Sequence, residues 1–141
     1  MRKASLIFPE LSYQITGILF TTHNELGRFC SERQYCDLLE QKLQEKNIKY
    51  VREKNINDNI KGDRVDFCIE NKIVLECKAK KLVTKEDYLT LQRYLQNSGI
   101  HLGMIVNFRN TYLRPKRIIR IENKCDANNI NPDTNILMRY Q

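Results

Sequence analysis

Gly62-Asp63-Arg64-Val65-Asp66-Phe67-Cys68-Ile69-Glu70-Asn71-Lys72-Ile73-Val74-Leu75-Glu76-Cys77-Lys78-Ala79 reads as two strands joined by a tight turn. Val65, Phe67 and Ile69 alternate with Asp66, Cys68 and Glu70, and Ile73, Leu75 and Cys77 alternate with Val74, Glu76 and Lys78. A period of two is the signature of a strand. Glu70-Asn71-Lys72 supplies a polar turn. With those three residues as the loop, Ile69 faces Ile73, Phe67 faces Leu75 and Val65 faces Cys77, making one apolar face. On the other face Asp66 falls opposite Glu76, with Lys78 one step further on. Directly opposed side chains have Cβ atoms about 4.5–5.5 Å apart, so two carboxylates there repel unless something positive lies between them.

Two readings of this triplet stand side by side. In one, Asp66, Glu76 and Lys78 line a solvated face and Lys78 offsets the acids, as charged residues on strands mostly do. In the other they form a divalent-metal site. Hard cations such as Mg²⁺ take one or two carboxylates plus water and phosphate, and a lysine beside them orients or deprotonates the attacking water. Cys68 and Val74 share the face with the charges, which makes that face partly apolar and favours the metal reading.

Composition bounds the rest. The chain has 141 residues, enough for one domain with one core, and its 41% hydrophobic content fits a folded protein. The net charge of +7 favours a polyanionic partner. No apolar run is long enough to span a bilayer, and Met1 to Pro9 holds too short an apolar run for a signal peptide. The five cysteines (Cys30, Cys36, Cys68, Cys77 and Cys125) contain no Cys-x-x-Cys. That argues against a zinc site or a disulfide framework and for a reducing cytoplasm. Cys68 and Cys77 read as packing residues.

Along the chain, Ser12 is the expected N-cap of a first helix through about Asn24. Ile15, Ile18, Leu19 and Thr22 form its stripe, and Gly27 is able to close it in a left-handed cap conformation. A second helix is expected from Phe29 or Cys30 to Lys46, with Cys36, Leu39 and Leu43 buried and Tyr35, Leu38 and Lys42 lending their stems. That stripe, extended back, includes Glu32. An acid on a core-facing side needs a cation or a metal; the alternative is that Glu32 lies in the first turn and favours the helix dipole. Ile48 to Lys54 reads as an edge strand, followed by a polar loop from Asn55 to Gly62. Thr84 and Asp87 make a capping-box-like start to a third helix ending near Asn97, with Tyr88, Leu91 and Leu95 on one stripe. Leu102 to Phe108 is a nearly continuous apolar run, as in a strand buried on both faces. Strand, helix and strand in that order imply a right-handed crossover and a parallel pair.

Lys80 and Lys81 add positive charge beside the acids, or simply solvate the strand end. Arg114, Lys116 and Arg117, with Tyr112 nearby, form a basic segment suited to a phosphate backbone, although a solvated surface is the commoner use of such residues. Ile118, Ile119 and Ile121 place a further strand at its end. His23 and His101 are isolated and read as structural or exposed. The expected organisation is a domain over residues 1–121 and a polar tail over 122–141.

Asp66, nine residues, and Glu76-x-Lys78 is also the core of the PD-(D/E)XK nuclease motif. More of the chain, from about Leu11 to Arg120, resembles the GxxExxY protein family, a small bacterial group in that nuclease superfamily. His23 and Glu25-Leu26-Gly27 are similar to the family's start, and Glu32 and Tyr35 fall on the Glu and Tyr of its name motif. Gly62, Asp66 and Glu76-Cys77-Lys78-Ala79 match its Gly…Asp…Glu-x-Lys-Ala. Tyr94-Leu95, Gly99, Leu102-Gly103 and Asn107-Phe108 match its distal half. Two positions depart: Phe29 stands at the name-motif glycine, and Thr90 stands at a glutamine that helps organise the active site in related nucleases.

The resemblance implies an α/β, restriction-endonuclease-like core, a central mixed β-sheet flanked by α-helices. It implies a metal-dependent phosphodiesterase acting on DNA or RNA, with Mg²⁺ or Mn²⁺ as cofactor. Asp66, Glu76 and Glu32 would be the carboxylates and Lys78 the residue beside the water. Lys80, Lys81, Arg114, Lys116 and Arg117 would hold the strand. No membrane partner is expected, and a homodimer stays open because many duplex-cutting enzymes act as dimers. Two other classes stay open as well. One is a catalytically weak nucleic-acid-binding module, favoured by Thr90; the other is a protein-interaction subunit whose basic surface serves solubility.

Overall fold

The computed structural model of the chain describes residues 7–55 and 64–121. Gly62, Cys125 and the tail expected over 122–141 lie outside the described residues, as does most of the polar loop before the hairpin.

Three helices and five strands follow the order α1 (Pro9–Leu26), α2 (Glu32–Glu45), β1 (Tyr50–Asn55), β2 (Arg64–Ile69), β3 (Ile73–Lys78), α3 (Lys85–Ser98), β4 (Leu102–Asn107) and β5 (Lys116–Ile119). The strands form one sheet in the order β1-β2-β3-β4-β5. Only β3 and β4 run parallel, as the intervening helix requires; the other neighbours are antiparallel. The architecture is the expected mixed sheet with helices on both faces.

Each helix boundary has a local cause. α1 starts three residues before the expected Ser12 cap, because Pro9 is preorganised for the first helical turn. Ser12 is instead buried inside the helix and donates its hydroxyl to the Pro9 carbonyl. Gly27 ends α1 at φ 73°, ψ −156°, a region essentially reserved for glycine, and its amide donates to the His23 carbonyl. α2 starts later than expected: Ser31 caps the Gln34 amide while the Gln34 side chain accepts from the Ser31 amide. α3 is capped by Thr84 and Asp87 as expected, and closes on Gly99 in the left-handed region.

Two apolar layers sandwich the sheet. Ile15, Ile18 and Leu19 of α1 and Leu39 and Leu43 of α2 pack on Phe67, Ile69, Leu75 and Met104. Leu91, Tyr94 and Leu95 of α3 pack on Val74, Ile105 and Ile118. Fully burying one such side chain contributes roughly 1.5–3 kcal/mol. β4 is buried along its whole length, as its apolar run implied.

The hairpin keeps the expected register at its turn end, where Ile69 pairs with Ile73, Cys68 with Val74 and Phe67 with Leu75. It departs beyond that point. Val65 does not join Phe67 and Cys77; it packs in the α3 layer, whereas Cys77 lies in the α2 layer. The simple alternation fails because the β2–β3 pairing stops at Phe67 and Leu75, and opposite, on β1, Glu53 takes a positive φ of 56°.

Candidate functional site

The site lies where β2 and β3 part. With no carbonyl partner in the pairing, the Asp66 amide donates to Glu76 Oε1 at 2.8 Å and the Cys77 amide donates to Asp66 Oδ2 at 2.7 Å. Each carboxylate therefore takes the place of a main-chain acceptor on the opposite strand, and each keeps its second oxygen for other partners. Lys78 Nζ lies 3.4 Å from Glu76 Oε2. The structure thus brings Asp66, Glu76 and Lys78 together, though not on one flat face: Asp66 turns toward α2, near the thiols of Cys36 and Cys77. Glu76 pairs with Ile105 of the α3 layer.

Burial dominates the electrostatics. The Glu76 side chain is only 14% exposed. Burial pushes its carboxyl up to about 7, and the Asp66 charge adds to this while Lys78 opposes it. Burial also raises Asp66, against the pull of the Cys77 amide and Lys78. For Lys78 burial acts downward, but Glu76, Asp87 and Glu32 outweigh it and hold the ammonium above its ordinary value. Lys78 is therefore a charged donor at neutral pH. It suits orienting water and screening negative charge better than removing a proton.

Glu32 is the first residue of α2, exposed, on the rim of a cleft of about 620 Å³ that it shares with Cys36, Arg52 and Asp66. Desolvation in that cleft raises its carboxyl; Lys78 opposes this and Asp66 adds to it. Glu32 thus occupies the first turn, where an acid favours the helix dipole, and is exposed at the cleft rim rather than turned to the core; among the described residues its carboxylate does not join a tight group of ligand atoms. Two half-buried carboxylates with one ammonium leave excess negative charge. Hard oxygen donors of this kind fit Mg²⁺ or Mn²⁺.

Asp87 was legible only as a cap. It does accept from the Thr84 amide at 2.7 Å, but it also binds Lys80 Nζ at 2.6 Å and lies 3.8 Å from Lys78 Nζ. Burial works against its charge, yet Lys80 and Thr84 prevail and hold its carboxyl below the ordinary value. Asn107, buried at the end of β4, pins the strand exit: its Nδ2 donates to the Lys80 carbonyl, and its Oδ1 accepts from the Lys80 and Arg109 amides.

The basic residues divide by register. Lys116 pairs with Ile105, which pairs with Glu76 on its other side, so all three share a sheet face. Two strand spacings separate Lys116 from Glu76, about 10 Å. Lys116, Arg114 and Lys81 are exposed. Arg117 pairs with Met104 on the opposite face and donates to the Ile7 carbonyl, so the structure does not bring it to the same surface.

The remaining motif residues have structural explanations. Tyr35 is wholly buried; its hydroxyl donates to the Gly27 carbonyl and accepts from the Cys30 amide, and its ring stacks on Phe108 at 4.1 Å. Phe29 is 75% exposed and is not a positive-φ residue, so its position does not require glycine. Gln92 does not substitute for a glutamine at Thr90: it is buried, donates to the Ile119 carbonyl and accepts from the Ile121 amide. Thr90 Oγ1 accepts from Arg93.

Among the described residues no helix is long and apolar enough to cross a membrane. Neither the curated proteins nor the solved structures yield a significant match. The family model described as PD-(D/E)XK nuclease superfamily matches residues 9–121. That span contains the three helices and five strands of the described residues and the Asp66…Glu76-x-Lys78 fork, and the chain belongs to the PD-(D/E)XK nuclease superfamily.

Proposed function

We propose that this chain is a metal-dependent nuclease that hydrolyses nucleic-acid phosphodiester bonds at the fork between β2 and β3. The observation that carries the proposal is the reciprocal amide–carboxylate exchange between Asp66 and Glu76, with Lys78 against Glu76. A solvated charged face does not explain it, because the carboxylates are largely buried and one is held near neutral protonation. Asp66 and Glu76 would hold Mg²⁺ or Mn²⁺, with Glu32 as a further carboxylate at the rim. When bound, that cation supplies a Lewis acid that acidifies water and neutralises phosphate charge. Lys78 orients the water and screens the charge that develops on the phosphate. Asp87, after Glu76, favours the charged form of Lys78 and fixes Lys80 beside it. Lys81, Arg114 and Lys116, with Lys80, hold the DNA or RNA backbone, whereas Arg117 braces β5. The compartment adopted is the cytoplasm, in keeping with the free thiols of Cys30, Cys36, Cys68 and Cys77. For a duplex substrate the reading includes a homodimer, since each copy carries one such fork.

The test is cleavage of a panel of DNA and RNA substrates with Mg²⁺ and with Mn²⁺, comparing wild type, Glu76→Ala and Lys78→Ala. Metal-dependent cutting by wild type, reduced on the order of 10²–10³-fold or more in each variant, is expected. Cutting that survives both substitutions would place the chemistry elsewhere.

One observation favours a second reading, a nucleic-acid-binding module with little activity. Thr90 occupies the glutamine position and Gln92 is committed to β5. Calorimetry separates the two, because a pure binder needs no cation at Asp66 and Glu76 and releases no heat with Mg²⁺.

A further inference from the structure

We propose that Cys36, Cys77 and Asp66 form a second cation site, selective for a thiophilic divalent ion such as Zn²⁺, on the α2 side of the fork. The three residues come from α2, β3 and β2, far apart in sequence, yet their ligand atoms all lie within 4.8 Å of one another. In a tetrahedral zinc site with Zn–S of about 2.3 Å and Zn–O of about 2.1 Å, neighbouring ligand atoms are about 3.5–3.8 Å apart. A contraction of about 1 Å completes the geometry. Thiolates select Zn²⁺ over Mg²⁺, whereas the carboxylate oxygens of Asp66 and Glu76 have the opposite preference.

Ordinary packing does not account for the arrangement. A buried thiol that only fills space behaves as a small apolar group, but these two converge on a carboxylate. Cys68, also buried, stands outside the group. Cys77 is wholly enclosed. Thiolates are the metal-binding form of cysteine, so binding would release protons, as at other thiolate sites. Cys36 and Asp66 line the same cleft, which gives the ion a route from solvent.

Asp66 belongs to both sites. On the nuclease reading above, zinc at the thiols withdraws Asp66 from the hydrolytic cation, and Zn²⁺ inhibits cleavage until a chelator removes it.

The test uses the reduced, metal-free full chain and Co²⁺ as a coloured substitute for Zn²⁺. The expected result is thiolate-to-cobalt charge-transfer absorption in the near ultraviolet that saturates at one equivalent. It is lost in Cys36→Ala and in Cys77→Ala and kept in Cys30→Ala. Should either variant fail to fold, wild type alone decides: Zn²⁺ at about ten times its Kd slows alkylation of Cys36 roughly ten-fold and leaves Cys30 unchanged. Absence of the band at saturating Co²⁺, a band that survives both variants, or unprotected Cys36 overturns the site. Cleavage assays report separately: an inactive chain that shows the band removes the nuclease reading and keeps this site, and an active chain without the band does the reverse.

Discussion

Replacing Glu76 by glutamine should stabilise the metal-free protein, by an amount that depends on pH. The Glu76 carboxyl moves from an ordinary 4.5 to about 7 on folding, mainly through burial. A folded value above the unfolded one means that the folded chain binds the extra proton between those limits. The penalty for ionised Glu76 is therefore absent below about pH 4.5, grows as pH rises toward 7 and is constant above it. Each unit corresponds to about 1.4 kcal/mol, so the full penalty is about 3 kcal/mol. That value already contains the attraction of Lys78, which lies 3.4 Å away. Glutamine keeps an oxygen to accept the Asp66 amide and carries no charge. Urea unfolding in EDTA at about pH 8 should thus show Glu76→Gln more stable than wild type by about 2–3 kcal/mol, with the gap closing toward pH 4.5. Adding Mg²⁺ should stabilise wild type and leave the variant unchanged, since a cation that binds only the folded state shifts the equilibrium by mass action. A variant less stable than wild type at pH 8, or a gap independent of pH, would refute the claim that buried negative charge is what this fork stores.

Two further expectations follow from the register and the packing. Arg114→Ala with Lys116→Ala should weaken nucleic-acid binding about equally for all sequences and flatten the dependence of log Kd on log salt by roughly 1–2, one phosphate contact per residue; an unchanged slope would remove these residues from the interface. Tyr35→Phe should cost about 1–3 kcal/mol, because it removes the donor to the Gly27 carbonyl and the acceptor of the Cys30 amide in a buried place. Thermal melting reads that loss, and an unshifted midpoint would mean that the hydroxyl contributes nothing to the α1–α2 junction.

What the sequence could and could not tell follows from the range of each interaction. The hairpin register near Ile69 and Ile73 depends on a three-residue turn and a period of two, both local. The caps at Thr84 and Asp87 are local too, as is the burial of Leu102 to Asn107. Val65 was misplaced because strict alternation assumes an unbroken ladder, and the ladder stops where Asp66 and Glu76 replace main-chain acceptors. Arg117 looked like surface charge because charge alone does not say which face of β5 a residue takes; only its pairing with Met104 does. The second role of Asp87 was hidden by its first, since a capping acid needs no other reason to be acidic. The meeting of Cys36 with Cys77 had no local signal, because α2 and β3 come together only through the sheet.

The fork also accounts for the departures at Val65, Asp87 and Cys77. A regular hairpin would satisfy the Asp66 and Cys77 amides with carbonyls at no electrostatic cost. Here carboxylates do so, and the charge they bring underground opposes folding. Much of the rest follows local rules: Ser31 and Thr84 cap α2 and α3, and apolar stripes face the sheet. Local rules broken among charged groups are where a functional site is expected, and the proposed site lies at this fork. The neighbouring elements are arranged to make the break tolerable. Asp87 at the start of α3 holds both Lys78 and Lys80, and Asn107 fixes the backbone at Lys80, so the ammonium that offsets Glu76 is set in place from outside the hairpin. Its counterbalance is one positive charge against two half-buried carboxylates, and on the proposed reading that remaining imbalance is what a divalent cation would correct.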